Sequence, residues 1–229
     1  MQGESPSPPY DSTSYDRPSV TVDCAVLGIA GGRLTVLLAR RGRPPFAGCW
    51  ALPGGFVATD EALEAAATRV LRHKTGLSEV SVDQVHAFDA IGRDPRMRII
   101  AIAYRALLAP AALAAVPVHD DQCLATIEAD GSTWLDGQRL TLAFDHDDIV
   151  AMTLAMLRRT IDDDAFALVA GQFTLRELQT VHEAVLGRPL NKPAFRRRML
   201  DRGTLRATGS FEEGRAFRPA ELYVHVPKD

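Results

Sequence analysis

On both sides of Gly31-Gly32, runs of apolar side chains broken by small or polar ones predict two strands, over 21–30 and 34–41, joined as a hairpin. Strand-like runs recur at 82–88 and 96–108. Between the hairpin and these runs lies an alanine-rich stretch with helical spacing; Thr59-Asp60 are placed to cap its start, and Gly76 suits a left-handed C-cap. Glycine and polar turns then separate 127–134 from a helix expected over about 145–159. In that helix Ile149, Met152, Met156 and Leu157 offer apolar positions that pack either between domains or across a subunit interface. Strands arranged around a central helix suit an α+β sandwich.

After Ile161-Asp162-Asp163-Asp164, a composition break read as a domain boundary, the local signals become dense. Thr174 and Glu177 have the spacing of a capping box, and Phe173 and Leu178 that of a hydrophobic staple, so a helix starts at Thr174. Leu178, Val181 and Val185 form its apolar stripe, and Gly187 ends it. The turn Arg188-Pro189-Leu190 leads to a second helix capped by Asn191, with Pro193 in its first turn, where a missing amide costs nothing. On an ideal projection Phe195, Met199 and Leu200 face inward, Ala194, Arg197, Arg198 and Asp201 outward, and Arg196 nearer the buried side. Gly203 stops this helix; 205–209 and 219–226 then read as two strands around a loop holding Arg215 and Arg218. Helix, short turn, helix and hairpin together describe a winged helix-turn-helix.

Composition changes this picture in two ways. Net charge is −3, yet from Ala165 onward 11 Lys/Arg face 7 Asp/Glu, so the positive charge concentrates on the element that resembles a DNA reader. Three scattered cysteines, Cys24, Cys49 and Cys123, have neither CxxC spacing nor an even count, which argues against a disulfide framework or a zinc site and for a cytoplasmic protein. The Ser/Pro/Asp-rich start has no apolar core of a signal peptide, so residues 1–18 are read as a disordered tail and no membrane partner is expected.

Candidate chemistry sits between Gly55 and Leu77. Gly55, Glu61, Arg69, Gly76 and Leu77 fall in the register of the Nudix box, a pyrophosphatase signature, and the segment resembles it. Where that box places three carboxylates, this chain has Val70, His73 and Lys74. Those positions share a helix face and would grip one hard cation, which takes oxygen ligands. Valine offers no lone pair and lysine a positive charge, so no catalytic residue and no metal ligand is assigned. Glu61 and Glu64 either retain a weak metal site or answer the helix dipole.

The segments GRPPFAGCWALPGGF and RDPRMRIIAIAY, the linker AFDHDDI and the run FTLRELQTVHEAVLGRPLNKPAFRRRML are similar to the Nudix-related transcriptional regulators, over nearly all of residues 20–226. The resemblance implies a Nudix-like α/β/α sandwich over 19–144, a connecting helix over 145–162 and a winged helix over 163–229. It further implies a homodimeric repressor of NAD metabolism genes that binds double-stranded operator DNA and senses ADP-ribose or a related nucleotide, with no cofactor required. The alternative is a working pyrophosphohydrolase with an appended basic domain. For the effector, Phe46 or Trp50 would supply a stacking surface, Arg40, Arg41, Arg93, Arg96 and Arg98 a cationic clamp, Gly54 and Gly55 a close backbone approach, and Lys74 a stand-in for the missing cation. For DNA, Arg197 and Arg198, with Arg196 beside them, would read bases, Asn191, Lys192 and Thr174 would meet phosphates, and Arg215 and Arg218 would follow from the wing.

Overall fold

The computed structural model describes residues 12–117, 119–212 and 219–227. Strands β1 (Ser19–Ala30) and β2 (Arg33–Arg40) form the expected hairpin, with Leu27 opposite Val36 and both turn glycines at positive φ. Short strands β3 (Trp50–Ala51) and β4 (Gly54–Phe56) lead to helix α1 (Leu63–Thr75). Strands β5 (Asp83–Phe88) and β6 (Ile99–Leu108), helix α2 (Pro110–Ala114), strands β7 (Gln122–Ile127), β8 (Thr133–Leu135) and β9 (Gln138–Arg139), and helix α3 (His146–Asp164) follow. One sheet runs β5-β6-β1-β2-β7-β8-β9, with β3 on β2 and β4 on β1; β6 pairs β1 in parallel and the other pairs are antiparallel.

Strand β1 shows why this sheet is covered on both faces. Successive side chains point to opposite sides, so Val22, Cys24 and Val26 meet Ala66, Ala67, Val70 and Leu71 of α1, while Ala25 and Leu27 meet Ile149, Leu154 and Leu157 of α3. Asp23 falls on the second side, 6% exposed, and becomes part of a site described below. The cap of α1 differs from expectation. Its N-cap is Ala62, which makes no side-chain bond, because the preceding turn is held by Glu61 instead: that carboxylate accepts from the Ala58 amide at 2.8 Å and pairs with Arg69.

Beyond a 3-10 turn at Ala165–Leu168 come β10 (Phe173–Thr174), helices α4 (Leu175–Leu186) and α5 (Lys192–Asp201), and strands β11 (Leu205–Phe211) and β12 (Glu221–His225), in a small sheet ordered β10-β12-β11. The capping box is present: the Glu177 amide donates to Thr174 Oγ1 at 3.2 Å, and the Thr174 amide to Glu177 Oε2 at 2.7 Å. Phe173 and Leu178 are buried beside it. Thr174→Ala is therefore expected to lower the unfolding free energy by about 1 kcal/mol, measurable as a reduced urea midpoint with unchanged slope. In α5 Phe195 and Met199 are buried as expected, but Leu200 is 39% exposed and Arg196 faces outward.

Helix α3 departs most from the pattern. It does not stop near 159 but continues through the three aspartates, which form its last turn rather than a linker. Each carboxylate is answered by a cation: Asp162 by Arg198 at 3.4 Å and Arg202 at 3.2 Å, with the His182 ring 3.3 Å away, Asp163 by Arg202, and Asp164 by the buried Arg105 of β6. Met152, expected among its apolar contacts, is 39% exposed, whereas Ile149 and Leu157 are fully buried. A single hydrophobic core runs from β1 and β2 through α3 to α4, Phe195, Met199 and Tyr223. Arg158 of α3 reinforces the junction by donating to Val185 O at 2.9 Å and Ala129 O at 2.8 Å. A Cβ on Gly187 would lie 2.5 Å from that of Ala129, so the end of α4 abuts the β7–β8 turn directly. Among the described residues, no helix is long and apolar enough to cross a membrane.

Candidate functional site

A cavity of about 490 Å³ opens where β1, β3, β4 and the end of α1 meet the start of α3. Its wall carries six cations: Arg40, Arg41, Arg43, Lys74, Arg93 and Arg96. They are not equivalent. Arg93, whose side chain is 4% exposed, is bound to Asp145 at 2.5 and 2.8 Å and lies 3.5 Å from Asp23, so it is floor structure. Arg96 is bidentate to Asp94 at 2.9 and 2.7 Å, which holds the Asp94 carboxyl below its usual range, while its guanidinium sits 5.8 Å from the Phe56 ring centroid. Arg40 and Arg41 donate to the carbonyls of Gly48 and Pro45. Among the described residues the Lys74 ammonium and the Arg43 guanidinium have no hydrogen-bond or ion-pair partner, leaving them free for an anionic ligand.

Of the residues picked out for the effector, Arg40, Arg41, Gly54, Gly55, Lys74, Arg93 and Arg96 line this cavity, and three do not. Arg98 turns away, donating to Asp89 O at 2.6 Å. Trp50 is half-buried and packs against the main core, as its place on β3 requires. Phe46 belongs to a neighbouring cavity. The aromatic walls are instead Phe56 and Phe144. Both lay in segments noticed for other reasons, one after the paired glycines and the other in AFDH, and alternation alone does not separate a wall from a core position. Gly54 has a definite reason to lack a side chain: a Cβ there would lie 2.1 Å from Asp23 Oδ1. Phe46 and Phe144 also hold positive φ, 61° and 58°, and their rings meet at 4.8 Å. Such backbone strain persists only where the surroundings enforce it.

The helix face that would carry a metal in the box is differently built here. Val70 is 3% exposed and lies against Gly55, His73 and Lys74 are exposed, and Glu61 is engaged by Arg69 and Ala58, which hold its carboxyl down at about 2. These donors do not fit a divalent cation. Among the described residues, no three His, Cys, Asp or Glu side chains converge to hold one.

Two buried histidines mark the ends of α3. His146 Nδ1 accepts from the Leu52 amide at 2.9 Å, and its Nε2 lies 3.7 Å from Asp23; His182 Nε2 lies 3.3 Å from Asp162. Burial pushes both imidazoles below their ordinary value, against the pull of those carboxylates. A histidine depressed in the folded state leaves stability intact above its unfolded value of about 6.5 and removes it as pH falls from there, since the unfolded chain takes the proton first. The thermal midpoint is therefore expected to be flat from pH 8 to 7 and to fall toward pH 5.5. His182→Gln should flatten part of that fall.

The second candidate surface is the exposed side of α5 and its surroundings. Asn191 Oδ1 accepts from the Ala194 amide at 3.0 Å, Lys192 is exposed beside it, and the first turn has no acidic residue, so this helix end offers positive potential. Arg197 is exposed and without a hydrogen-bond or ion-pair partner among the described residues. Arg196 reaches across a groove toward Tyr223 Oη at 3.5 Å, and Arg176 of α4, which the sequence pattern did not single out, lines the same groove. Two further candidates have partners within the fold. Thr174 is 3% exposed, its hydroxyl serves the capping box, and it stands in the wall of the same groove. Arg198 is turned toward Asp162 and stands 5.5 Å from the Phe195 ring, because its place on the helix flanks the buried stripe. Arg215 and Arg218 lie outside the described residues.

Comparison with known proteins converges on the same two parts. The model of the NUDIX domain matches residues 17–151, and that of the NrtR DNA-binding winged helix domain matches residues 165–224. The ADPR responsive transcriptional repressor NtrR of Acinetobacter baylyi is 35% identical over 224 residues, 96% of this chain and 87% of that protein. An ADP-ribose pyrophosphatase of Methanocaldococcus jannaschii is 33% identical over 137 residues, 59% of this chain and 73% of that one. The crystal structure of Shewanella oneidensis NrtR, also solved with a 27mer DNA, is similar at a TM-score of 0.74 and 32% identity, covering 90% of this chain and 93% of that one. Its NUDIX domain, solved with ADP ribose, is similar at a TM-score of 0.52 and 29% identity, over 65% of this chain and 94% of that one.

Proposed function

Since the chain belongs to the Nudix-related transcriptional regulators of the NrtR type, we propose that it is a DNA-binding repressor whose Nudix-like cavity senses ADP-ribose or a related nucleotide without consuming it. In this reading residues 19–144 form the sensor, α3 the connection and the region from about 163 the reading head; the protein works in the cytoplasm as a homodimer on operators of NAD metabolism genes. One observation carries it: a cavity with the cations Lys74 and Arg43, unpaired among the described residues, shares a continuous core with a winged helix that presents Arg197, likewise unpaired among them. A diphosphate would lie against Lys74, Arg43, Arg40 and Arg41, with Phe56 or Phe144 stacking on the base. The lysine takes over part of the charge neutralisation that a metal supplies in hydrolases, while Val70 and His73 leave no carboxylate cradle to activate water.

Similarity to the archaeal pyrophosphatase favours a second reading, that of an active hydrolase. Gel shifts with upstream DNA from the source genome, repeated with ADP-ribose, test the first reading; metal-dependent release of AMP from ADP-ribose with magnesium or manganese tests the second. A sequence-selective shift altered by ADP-ribose, without AMP release at ordinary enzymatic rates, is the expected result. Absence of any sequence-selective shift at low and moderate salt removes the DNA assignment. Lys74→Glu is expected to weaken ADP-ribose binding by about 10- to 100-fold, the worth of one charge-assisted hydrogen bond, with the thermal midpoint unchanged.

A further inference from the structure

Beside the cationic cavity lies a second one of about 580 Å³, and the two share Phe144 and Arg93 as walls. Its chemistry is the opposite of the first. Three phenylalanines, Phe46, Phe88 and Phe144, and the sulfur of Met152 line it, with Asp89 and Asp148 at its edge. Those two carboxylates have no cationic partner among the described residues, whereas Asp145, also in the wall, is already answered by Arg93. Of the basic groups nearby, Arg93 is committed to Asp145 and Asp23, Arg98 to the Asp89 and Ala90 carbonyls, and Arg41 and Arg96 stand 4.6 and 6.0 Å from the Phe144 ring centroid, which leaves Phe46 and Phe88 as the rings without a cation against them among the described residues; His86 is the remaining basic group in the wall. Aromatic faces and a thioether attract cations, and ring edges stack on flat heterocycles. Phe46 and Met152 are 42% and 39% exposed, so their apolar surface is accessible from solvent.

We propose that this second cavity is a subsite for a cationic heteroaromatic ring, so that the full-length ligand is a dinucleotide lying with its diphosphate in the basic cavity and its positively charged ring among Phe46, Phe88, Phe144 and Asp148. The inference rests on the sensor reading above and names a ligand class that ADP-ribose, which has no second base, does not fill. Charge provides the discriminating test. NADH has the shape of NAD+ but an uncharged ring and one more negative charge overall, so the basic cavity by itself prefers NADH. A preference for NAD+ must come from elsewhere.

Calorimetric titration of the full chain with ADP-ribose, NAD+ and NADH decides it. The expected result is NAD+ bound about tenfold or more tightly than NADH, and Asp148→Asn reducing NAD+ affinity about tenfold while leaving ADP-ribose affinity unchanged. Unchanged ADP-ribose binding also certifies that the variant is folded. ADP-ribose bound with NADH equal to or tighter than NAD+ overturns the subsite and leaves the sensor reading standing, as does an Asp148→Asn effect equal for all three ligands. Failure of all three ligands to bind the wild-type chain overturns both.

Discussion

Replacing Arg93 with alanine is expected to lower the unfolding free energy by about 3–5 kcal/mol, the cost of leaving buried charge without its partner. The guanidinium is nearly inaccessible and holds Asp145, at the start of α3, and Asp23, on β1, whose own side chains are 17% and 9% exposed. Removing it strands two carboxylates whose side chains are largely buried. The measurement is urea unfolding followed by circular dichroism, and the informative control is a cycle with Asp145→Ala. Removing both partners should recover part of the loss, because the unpaired charge rather than the missing contact dominates it. A single-variant loss below 1 kcal/mol would show that water reaches this floor freely. Effector binding should weaken in parallel, since Arg93 fixes the wall on which Phe144 and His146 also stand.

The second large effect is expected at α5. Exchanging Arg196 and Arg197 together for alanine should lower affinity for a selected operator by roughly 10²- to 10⁴-fold, each bidentate contact to guanine being worth about 1–3 kcal/mol. Arg198→Ala should cost less affinity and more stability, because its guanidinium is paired with Asp162. Fluorescence anisotropy on operator and scrambled duplexes at two salt concentrations distinguishes the roles. A base-reading arginine loses the difference between the duplexes, whereas a phosphate contact weakens both alike and shallows the salt dependence. If the double variant retains full selectivity, base reading belongs to another surface.

Much of this architecture was legible because the local signals agreed with one another. The capping box at Thr174, the staple beside it, Asn191 and the stripe of Leu178, Val181 and Val185 each specify the same two helices, and the structure contains them. Gly31-Gly32 and the apolar runs around it specified the hairpin for the same reason. What escaped depended on partners distant in sequence. Three consecutive aspartates read as a break because nothing local neutralises them; Arg105, Arg198 and Arg202 do so only after folding, and the helix continues. Arg198 is exposed as the ideal projection has it, but its pairing with Asp162 could not be read from the sequence. In the cavity, the arginines picked out near the glycines stand in the wall, but Phe56, Phe144 and Asp23 required knowing which side chains the folded sheet and the start of α3 leave facing it.

The unbroken interior from β1 to Met199 has one more consequence. Close-packed interiors deform by switching between discrete arrangements rather than by bending, so reader and vessel here form a single stiff lever with α3, about 28 Å long, as its spine. Cutting the chain at 163 would bare the inner sides of α4 and of the large sheet together, so each fragment should be less stable than the whole. Transplanting the reading head onto another sensor would mean redesigning the seam as well, so specificity for signal and for site must drift together.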